Sequence, residues 1–543
     1  MRPYGTTSRG NRVNSDLAEL WGTEFGPATV NGHPGLAFEP RPTEFDHLLV
    51  GAERWADREF LVQADYRITH GEFHAAIPAA AGLLATQGVG PGDRVLLLSY
   101  NSPEFVLALW GLWWLGAVPV FGNRWWSEAE LEHALALTKP VLALTDRADW
   151  VPPGVTVGQF RDLTPVFGTT EDRPCARAGD EDAPALILFT SGSAGVPKAV
   201  VLSRRSVIAN QHNTMARTRR LPQDLDPTRP QAVSMVCTPL FHVGGVGNIV
   251  LALLTGTKLV FNAGRFDPAQ VLELIEAEGV QSFAGVPTMA SRLIEHPDFT
   301  RRDLSSLRAL PFGGAPVPPA LLERLVERLP QLKRGGLGNT WGMTESGGFL
   351  ASAGAADLAE RPGTVGPAAS CTEIRIADPG PDGVGEVVVR APGVMLGYLG
   401  ADGSLEGVDA DGWLRTGDLG RLDADGYLYL TGRAKDIVIR GGENIACAHV
   451  EATMLTHPQI IEAAVFGIPH DDLGEELAAV AVHRADPTGG PAPSQDELRE
   501  FLRARLAYFE VPTAWRITTD PLPTLAGEKI DKKTLKSTFV RSE

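Results

Sequence analysis

Nine consecutive residues, Thr190-Ser191-Gly192-Ser193-Ala194-Gly195-Val196-Pro197-Lys198, combine hydroxyls, glycines and a lysine. That mixture suits an anion. Glycines let backbone N–H groups approach a phosphate closely, hydroxyls add donors, and Lys198 adds a positive charge. The spacing is not that of a Walker A loop, because GxxxxGK[ST] is absent and Ala199 follows the lysine. The flanking runs 186–189 (Leu-Ile-Leu-Phe) and 199–202 (Ala-Val-Val-Leu) read as strands, so the stretch is two strands joined by a loop. A plain Gly/Ser hairpin turn explains these residues as well as a phosphate cradle does.

The loop has company. Gly313-Gly314-Ala315-Pro316 follows a strand-like run. Asn339-Thr340-Trp341-Gly342-Met343-Thr344-Glu345, Thr416-Gly417-Asp418, Gly432-Arg433-Ala434-Lys435-Asp436, Gly441-Gly442-Glu443-Asn444 and Lys529 come after it in that order. The ordered set closely resembles the adenylate-forming superfamily: acyl- and aryl-CoA synthetases, peptide-synthetase adenylation domains and firefly-type luciferases. The resemblance runs from about residue 45 to about residue 533. It implies that a carboxylate and ATP give an acyl-adenylate and pyrophosphate, and that a thiol then gives a thioester. The first step brings two anions together, so cations and oriented N–H donors must neutralise charge.

The resemblance also implies roles. Thr190, Ser191, Gly192, Ser193, Gly195 and Lys198 bind phosphate. Gly314, Ala315 and Pro316 pack on adenine, with Asn339, Trp341 and Gly342 beside them; Trp341 stands where Tyr is usual. Thr344 donates to the α-phosphate, and Glu345 holds Mg2+ through oxygen. Asp418 accepts from both ribose hydroxyls, and Arg433 assists at ribose and phosphate. Lys529 bridges the substrate carboxylate and the α-phosphate. Lys435 is the hinge, and Gly441, Gly442 and Glu443 reach a pantetheine tunnel after rotation. Catalytic roles fall to Lys529, Glu345, Thr344 and His242; the metal ligand is Glu345. ATP (or acyl-AMP), CoA and Mg2+ are the implied cofactors.

His242, in Phe241-His242-Val243-Gly244-Gly245, narrows the subfamily. Amino-acid adenylation domains carry Asp after this Phe, whereas acyl- and aryl-CoA synthetases carry His. His242 is then a candidate wall between acyl pocket and thiol channel. With Gly285-Val286-Pro287-Thr288 and Phe312-Gly313 it predicts a roomy apolar pocket. An acyl-CoA ligase for a bulky apolar acid is the leading reading. An acyl-AMP ligase loading a carrier protein, a luciferase-like adenylate oxidase and a non-catalytic acyl-adenylate-binding protein are the alternatives.

Departures cluster on the ATP side. Ala194 stands where Thr or Ser is usual, Ala199 where Gly is usual, and Arg204 where His is frequent. Glu528 occupies the usual Gly position before Lys529, with Gly527 one place early. One lost hydroxyl-to-phosphate hydrogen bond costs roughly 1.5–3 kcal/mol, about ten- to a hundredfold in rate. Near the hinge, Cys447 replaces a frequent Pro and His449 a frequent Glu. The Gly-Gly-Glu-Asn turn itself is intact, so the thioester half looks better preserved, and the ATP-side changes raise the expectation of weak adenylation, with a separate adenylating enzyme as a partner.

The elements that must hold these motifs read as α/β. Residues 72–84 form an Ala-rich helix, 94–100 a strand, 103–116 a very apolar helix, and Ser127-Glu128-Ala129-Glu130 a capping box. Asp267-Pro268 opens a helix that ends at Gly279. Alternation of this kind predicts a largely parallel sheet. Segments at 373–376, 385–390 and 427–430 look β-rich, with Asp-Gly turns at 382, 402, 411 and 425. Residues 1–44 read as a loose Pro-rich arm with some helix, and 484–496 as a flexible loop. The superfamily resemblance implies a large N-terminal domain of stacked α/β layers with a β-rich subdomain, residues 1–433, and a small mobile α+β C-terminal domain, residues 434–543.

Composition sets the outer limits. At 543 residues the chain exceeds one core. Its net charge of −17 argues against a nucleic-acid partner. Four scattered cysteines show no CxxC spacing, which points to a reduced, cytoplasmic setting. Residues 1–16 lack the apolar core of a signal peptide, and no 18-residue apolar run predicts a membrane span. The expected partners are a carboxylic acid and CoA, and the relatives are commonly homodimers.

Overall fold

The computed structural model describes residues 15–148, 150, 152, 154–177, 179–191, 196–484 and 492–540. The loop residues Gly192, Ser193, Ala194 and Gly195 lie outside them, as does most of the 484–496 segment.

The two strands around that loop are Pro184–Ser191 and Pro197–Ser203. They pair antiparallel, with Lys198 opposite Thr190. They are central in an eight-stranded sheet that continues through Val118–Phe121, Arg94–Leu98, Leu142–Thr145 and Thr156–Gln159. From Pro184–Ser191 outward those strands are parallel, as the alternation predicts. The helix Pro103–Leu115 is buried nearly all round, which explains its lack of a polar face. Trp113 Nε1 donates to Ala185 O at 2.8 Å and ties that helix to the loop-bearing hairpin. The Ser127–Glu130 capping box closes with both reciprocal bonds, and Gly279 caps its helix at φ +62.

A second sheet runs Ser282–Ala284, Val233–Val236, Lys258–Phe261, Glu59–Gln63 and Tyr66–Thr69. A three-stranded sheet places Leu310–Gly313 parallel to Leu337–Met343, with Gly348–Ala353 antiparallel on the far side. The β-rich subdomain is five-stranded: Thr364–Pro367, Tyr427–Arg433, Leu414–Leu422, Gly385–Arg390 and Glu373–Ala377. All four Asp-Gly turns hold their glycine at φ between +77 and +86.

A small C-terminal domain follows, with its own core around Val450, Val465, Leu477 and Leu502. Its sheet joins Glu443–Ala446, Ile437–Arg440, Gly474–His483, Ile460–His470 and Ala514–Thr518. The exposed turn Ala434–Asp436, which carries Lys435, links it to the larger part.

One expectation needs correction. Part of the supposed loose arm is an ordered hairpin, Glu24–Val30 against His33–Glu39. Asn31 and Gly32 turn it at φ +49 and +79. Both central residues of a type I′ turn need positive φ, and Asn-Gly is the pair that tolerates it best. Pro27, Pro34, Gly26 and Gly35 had masked the strand pattern.

Candidate active site

The parallel pairing of Phe312 with Asn339 and of Gly313 with Thr340 sets Gly314-Ala315-Pro316 beside Trp341. Gly314 adopts φ +77. A Cβ added there would stand 3.2 Å from Lys529 Cε and 3.4 Å from its Nζ. Lys529, 215 residues further along the chain, is thus folded against this turn. Across from it, a Cβ on Gly527 would meet His242 Nε2 at 3.2 Å. A side chain at Gly527 would be a tight fit against the His242 imidazole.

Lys529 keeps solvent-exposed surface, while its ammonium end is folded in against Gly314; desolvation there pulls the ammonium below its ordinary value, Arg433 adds to this, and Glu345 and Asp418 oppose it. A cation that senses two carboxylates, Glu345 and Asp418, at a partly desolvated position suits an incoming pair of anions. His242 precedes the helix Val243–Thr255. Burial first, then Lys529, pushes its imidazole down to about 3, so it is neutral at physiological pH.

Asp418 lies at the middle of Leu414–Leu422 and is 5% exposed. Its Oδ1 accepts from Arg433 Nε at 2.8 Å, and its Oδ2 from Trp341 Nε1 at 2.9 Å. Lone pairs on both oxygens remain for a diol. Trp341 is 6% exposed and belongs to the main core. Its observed contact is therefore the indole N–H on Asp418. Asn339 donates to Thr364 O at 3.2 Å and braces the same strand.

A bulge between Trp341 and Gly342 re-aims the chain before Thr344 and Glu345. Gly342 has a packing reason: a Cβ there would fall 1.9 Å from Gly348 O. Thr344 opens a short turn, half-buried, and Glu345 within it is buried. Glu345 Oε1 accepts from Tyr398 Oη at 2.9 Å. The Tyr398 ring carries Lys198 Nζ 4.7 Å from its centroid. Burial and Glu345 raise the phenol's pKa, so it stays a donor. This chain of contacts joins the lysine of the Gly/Ser loop to the carboxylate of the Thr-Glu motif.

Glu345 suits Mg2+. No cluster of three His, Cys, Asp or Glu side chains exists among the described residues, and Mg2+ is commonly bound by one or two carboxylates plus substrate phosphates. Thr190 and Lys198 face each other at the loop's base. Lys435, Gly441, Gly442 and Glu443 are exposed.

Sequence reasoning missed Tyr398. Its signal is slight, a tyrosine after Gly397 in a three-residue strand. It also missed Arg292, whose partners lie 170 and 236 residues away. Several departures turn out to face away from the site. Ala199 is 1% exposed in a core cluster, Arg204 is buried in an ion pair with Glu44, and Cys447 packs in the C-terminal core.

This fold and site define an adenylate-forming enzyme. The chain belongs to the AMP-binding enzyme family: that family's model matches residues 49–399, and its C-terminal domain model matches residues 449–529. It is similar to feruloyl-CoA synthase of an Amycolatopsis species, 34% identical, with 87% of this chain and 94% of that protein covered. It is also similar to 2-succinylbenzoate–CoA ligase of Bacillus licheniformis, 32% identical over 88% of this chain and 96% of that one. Among solved structures, o-succinylbenzoate CoA synthetase of Bacillus subtilis bound to its acyl-adenylate superposes with TM-score 0.75 at 28% identity, covering 90% of this chain and 97% of that one. The same enzyme with ATP and magnesium gives 0.74 at 27% identity, covering 91% and 99%. The chain is an acid–thiol ligase that uses ATP, Mg2+ and CoA.

Proposed function

We propose that this ligase acts on a bulky, largely apolar carboxylic acid of the aryl or long acyl class, and that the residues gathered above divide its two half-reactions. The acid's carboxylate oxygen attacks the α-phosphorus of ATP, and pyrophosphate leaves. The CoA thiol then attacks the acyl carbonyl and AMP leaves.

In the first step Lys529 bridges carboxylate and α-phosphate, with Thr344 donating to the latter. Asp418 and Arg433 hold the ribose, Gly314-Ala315-Pro316 and Trp341 flank adenine, and Lys198 with the Thr190–Gly195 loop holds the phosphates. Mg2+ at Glu345 would neutralise phosphate charge. His242 walls the acyl pocket. For the second step the domain from residue 434 onward turns about Lys435, withdraws Lys529 and presents Gly441, Gly442 and Glu443 to the thiol channel. Exposure of that turn while the Lys529 ammonium is seated against Gly314 supports the reading of two alternating states.

The observation that carries the reading is Lys529 seated against Gly314, sensing Glu345, Asp418 and Arg433. The aryl choice is supported by relatives named for ferulate and 2-succinylbenzoate. The test is a panel of ferulate, 4-coumarate, 2-succinylbenzoate and a long-chain fatty acid. ATP–pyrophosphate exchange and CoA-thioester formation are followed separately. Both activities with an aromatic or long-chain member are expected. Thioester formation from a synthetic adenylate without any exchange would return the reading to an enzyme fed by a separate adenylating partner.

A further inference from the structure

The helix Pro287–Glu295 buries Pro287, Met289, Ala290, Leu293 and Ile294 in the larger part of the molecule. Its other face meets the C-terminal domain. Arg292 Nη1 donates to Glu528 Oε2 at 2.7 Å, Nε to Glu462 Oε1 at 3.2 Å, and Nη2 to Leu522 O at 3.0 Å. Glu462 Oε2 in turn accepts from Leu522 N at 2.8 Å. One guanidinium therefore ties together a strand, a loop and the turn that carries Lys529. Glu295, on the same helix, accepts from Arg484 Nε and Nη2, each at 2.9 Å.

Glu528 immediately precedes Lys529. Its φ is +57, a left-handed conformation that L side chains adopt at a cost and glycine does not. Its carboxylate is turned from Lys529 toward Arg292 and Thr524, whose Oγ1 donates at 3.1 Å. The turn is closed locally by Glu528 N to Leu525 O at 2.9 Å and Leu525 N to Lys529 O at 2.7 Å. A hold on Glu528 is thus passed to Lys529 through a single stiff turn.

We infer that Arg292 is the positioning residue of the adenylation step: by clamping Glu528 it seats Lys529 against Gly314 in the state that makes the adenylate. Glu528 is the handle, which is why a carboxylate stands where the backbone favours glycine. Arginine suits the task because its planar fork serves three acceptors in different directions. Rotation of the C-terminal domain must break all three contacts. The clamp therefore favours one half-reaction over the other.

The inference rests on the assignment of Lys529 to adenylation, and the experiment separates the two. Lys529→Ala should abolish pyrophosphate exchange while keeping thioester formation from synthetic acyl-adenylate; retained exchange would remove the assignment and the inference with it. Arg292→Ala should lower exchange about tenfold, because it removes at once the three contacts of a half-buried guanidinium that hold the Lys529 turn. It should leave thioester formation from the adenylate unchanged or faster. Arg292→Lys should recover part of the loss, and Glu528→Gly should lower exchange although it relieves the backbone. In the ATP-bound enzyme, energy transfer between one dye on each domain should shift in Arg292→Ala. With Lys529→Ala behaving as stated, exchange within twofold of wild type in Arg292→Ala would overturn the inference alone. So would equal loss in both half-reactions, or unchanged energy transfer.

Discussion

Trp341 donates its indole N–H to Asp418 Oδ2 at 2.9 Å across 77 residues, while Arg433 holds Oδ1 at 2.8 Å. Two donors from different strands thus fix the plane of one buried carboxylate. Trp341→Phe keeps one aromatic six-membered ring and deletes the donor together with the rest of the indole. A hydrogen bond to a charged group is worth about 1.5–3 kcal/mol, so KM for ATP should rise about tenfold or more. Discrimination against 2′-deoxy-ATP should weaken with it. Steady-state exchange kinetics with both nucleotides provide the check. Unchanged values would mean that Arg433 alone orients Asp418.

Tyr398 serves two groups at once, donating to Glu345 and lying under Lys198. The two functions separate by substitution. Tyr398→Phe loses only the hydroxyl, and the Mg2+ concentration for half-maximal exchange should rise about tenfold, the usual scale for losing a partner behind a metal ligand. Tyr398→Leu also loses the ring face, worth about 0.5–1 kcal/mol to a nearby ammonium. Its KM for ATP should therefore rise further than that of Tyr398→Phe. Mg2+ and ATP titrations of the two variants read the difference.

The order of motifs made the family legible because each motif is local: a turn, a bulge or a strand end that reveals itself in a few residues. Asp-Gly turns, the Ser127 capping box and the Gly279 cap were readable for the same reason. What lay hidden depends on distant pairs. Nothing near Arg292 announces Glu462 or Glu528, and nothing near Arg204 announces its burial against Glu44. Three residues that suggested weak adenylation, Ala199, Arg204 and Glu528, find their packing or their partners in a core cluster, in Glu44 and in Arg292 with Thr524. A departure from a motif carries its meaning only once the direction of the side chain is known.

The Lys529 ammonium makes adenylation sensitive to alkali. Burial, then Arg433, lowers its pKa from the ordinary 10.5. In the role proposed for Lys529 the protonated form does the bridging, so kcat/KM for ATP should fall as pH rises through that lowered value. His242, pushed to about 3, stays neutral from pH 5 upward and adds no limb of its own. Profiles of kcat/KM report the free enzyme, where bound phosphates do not yet raise the lysine. Lys529→Arg should move the alkaline limb beyond pH 10, because a guanidinium stays charged there. Thioester formation from preformed adenylate should lack the limb. An identical limb in both half-reactions would assign it to another group.

Two buried histidines should make the fold acid-sensitive. His70, 1% exposed and 4.5 Å from the Phe60 ring, has its pKa lowered by burial to about 3. His212, 1% exposed, stacks on Phe38 at 4.0 Å and bonds to Gly22 O at 2.8 Å; burial lowers it to about 4. In the unfolded chain both titrate near 6.5. Below that value the unfolded state binds protons that the folded state refuses, so stability is full above pH 6.5 and is lost as pH falls. Each group should cost about 2 kcal/mol between pH 7 and pH 5. His70→Phe, which fills the same space without a titrating group, should flatten the fall of thermal midpoint over that range. A slope as steep as wild type in His70→Phe would place the acid sensitivity elsewhere in the chain.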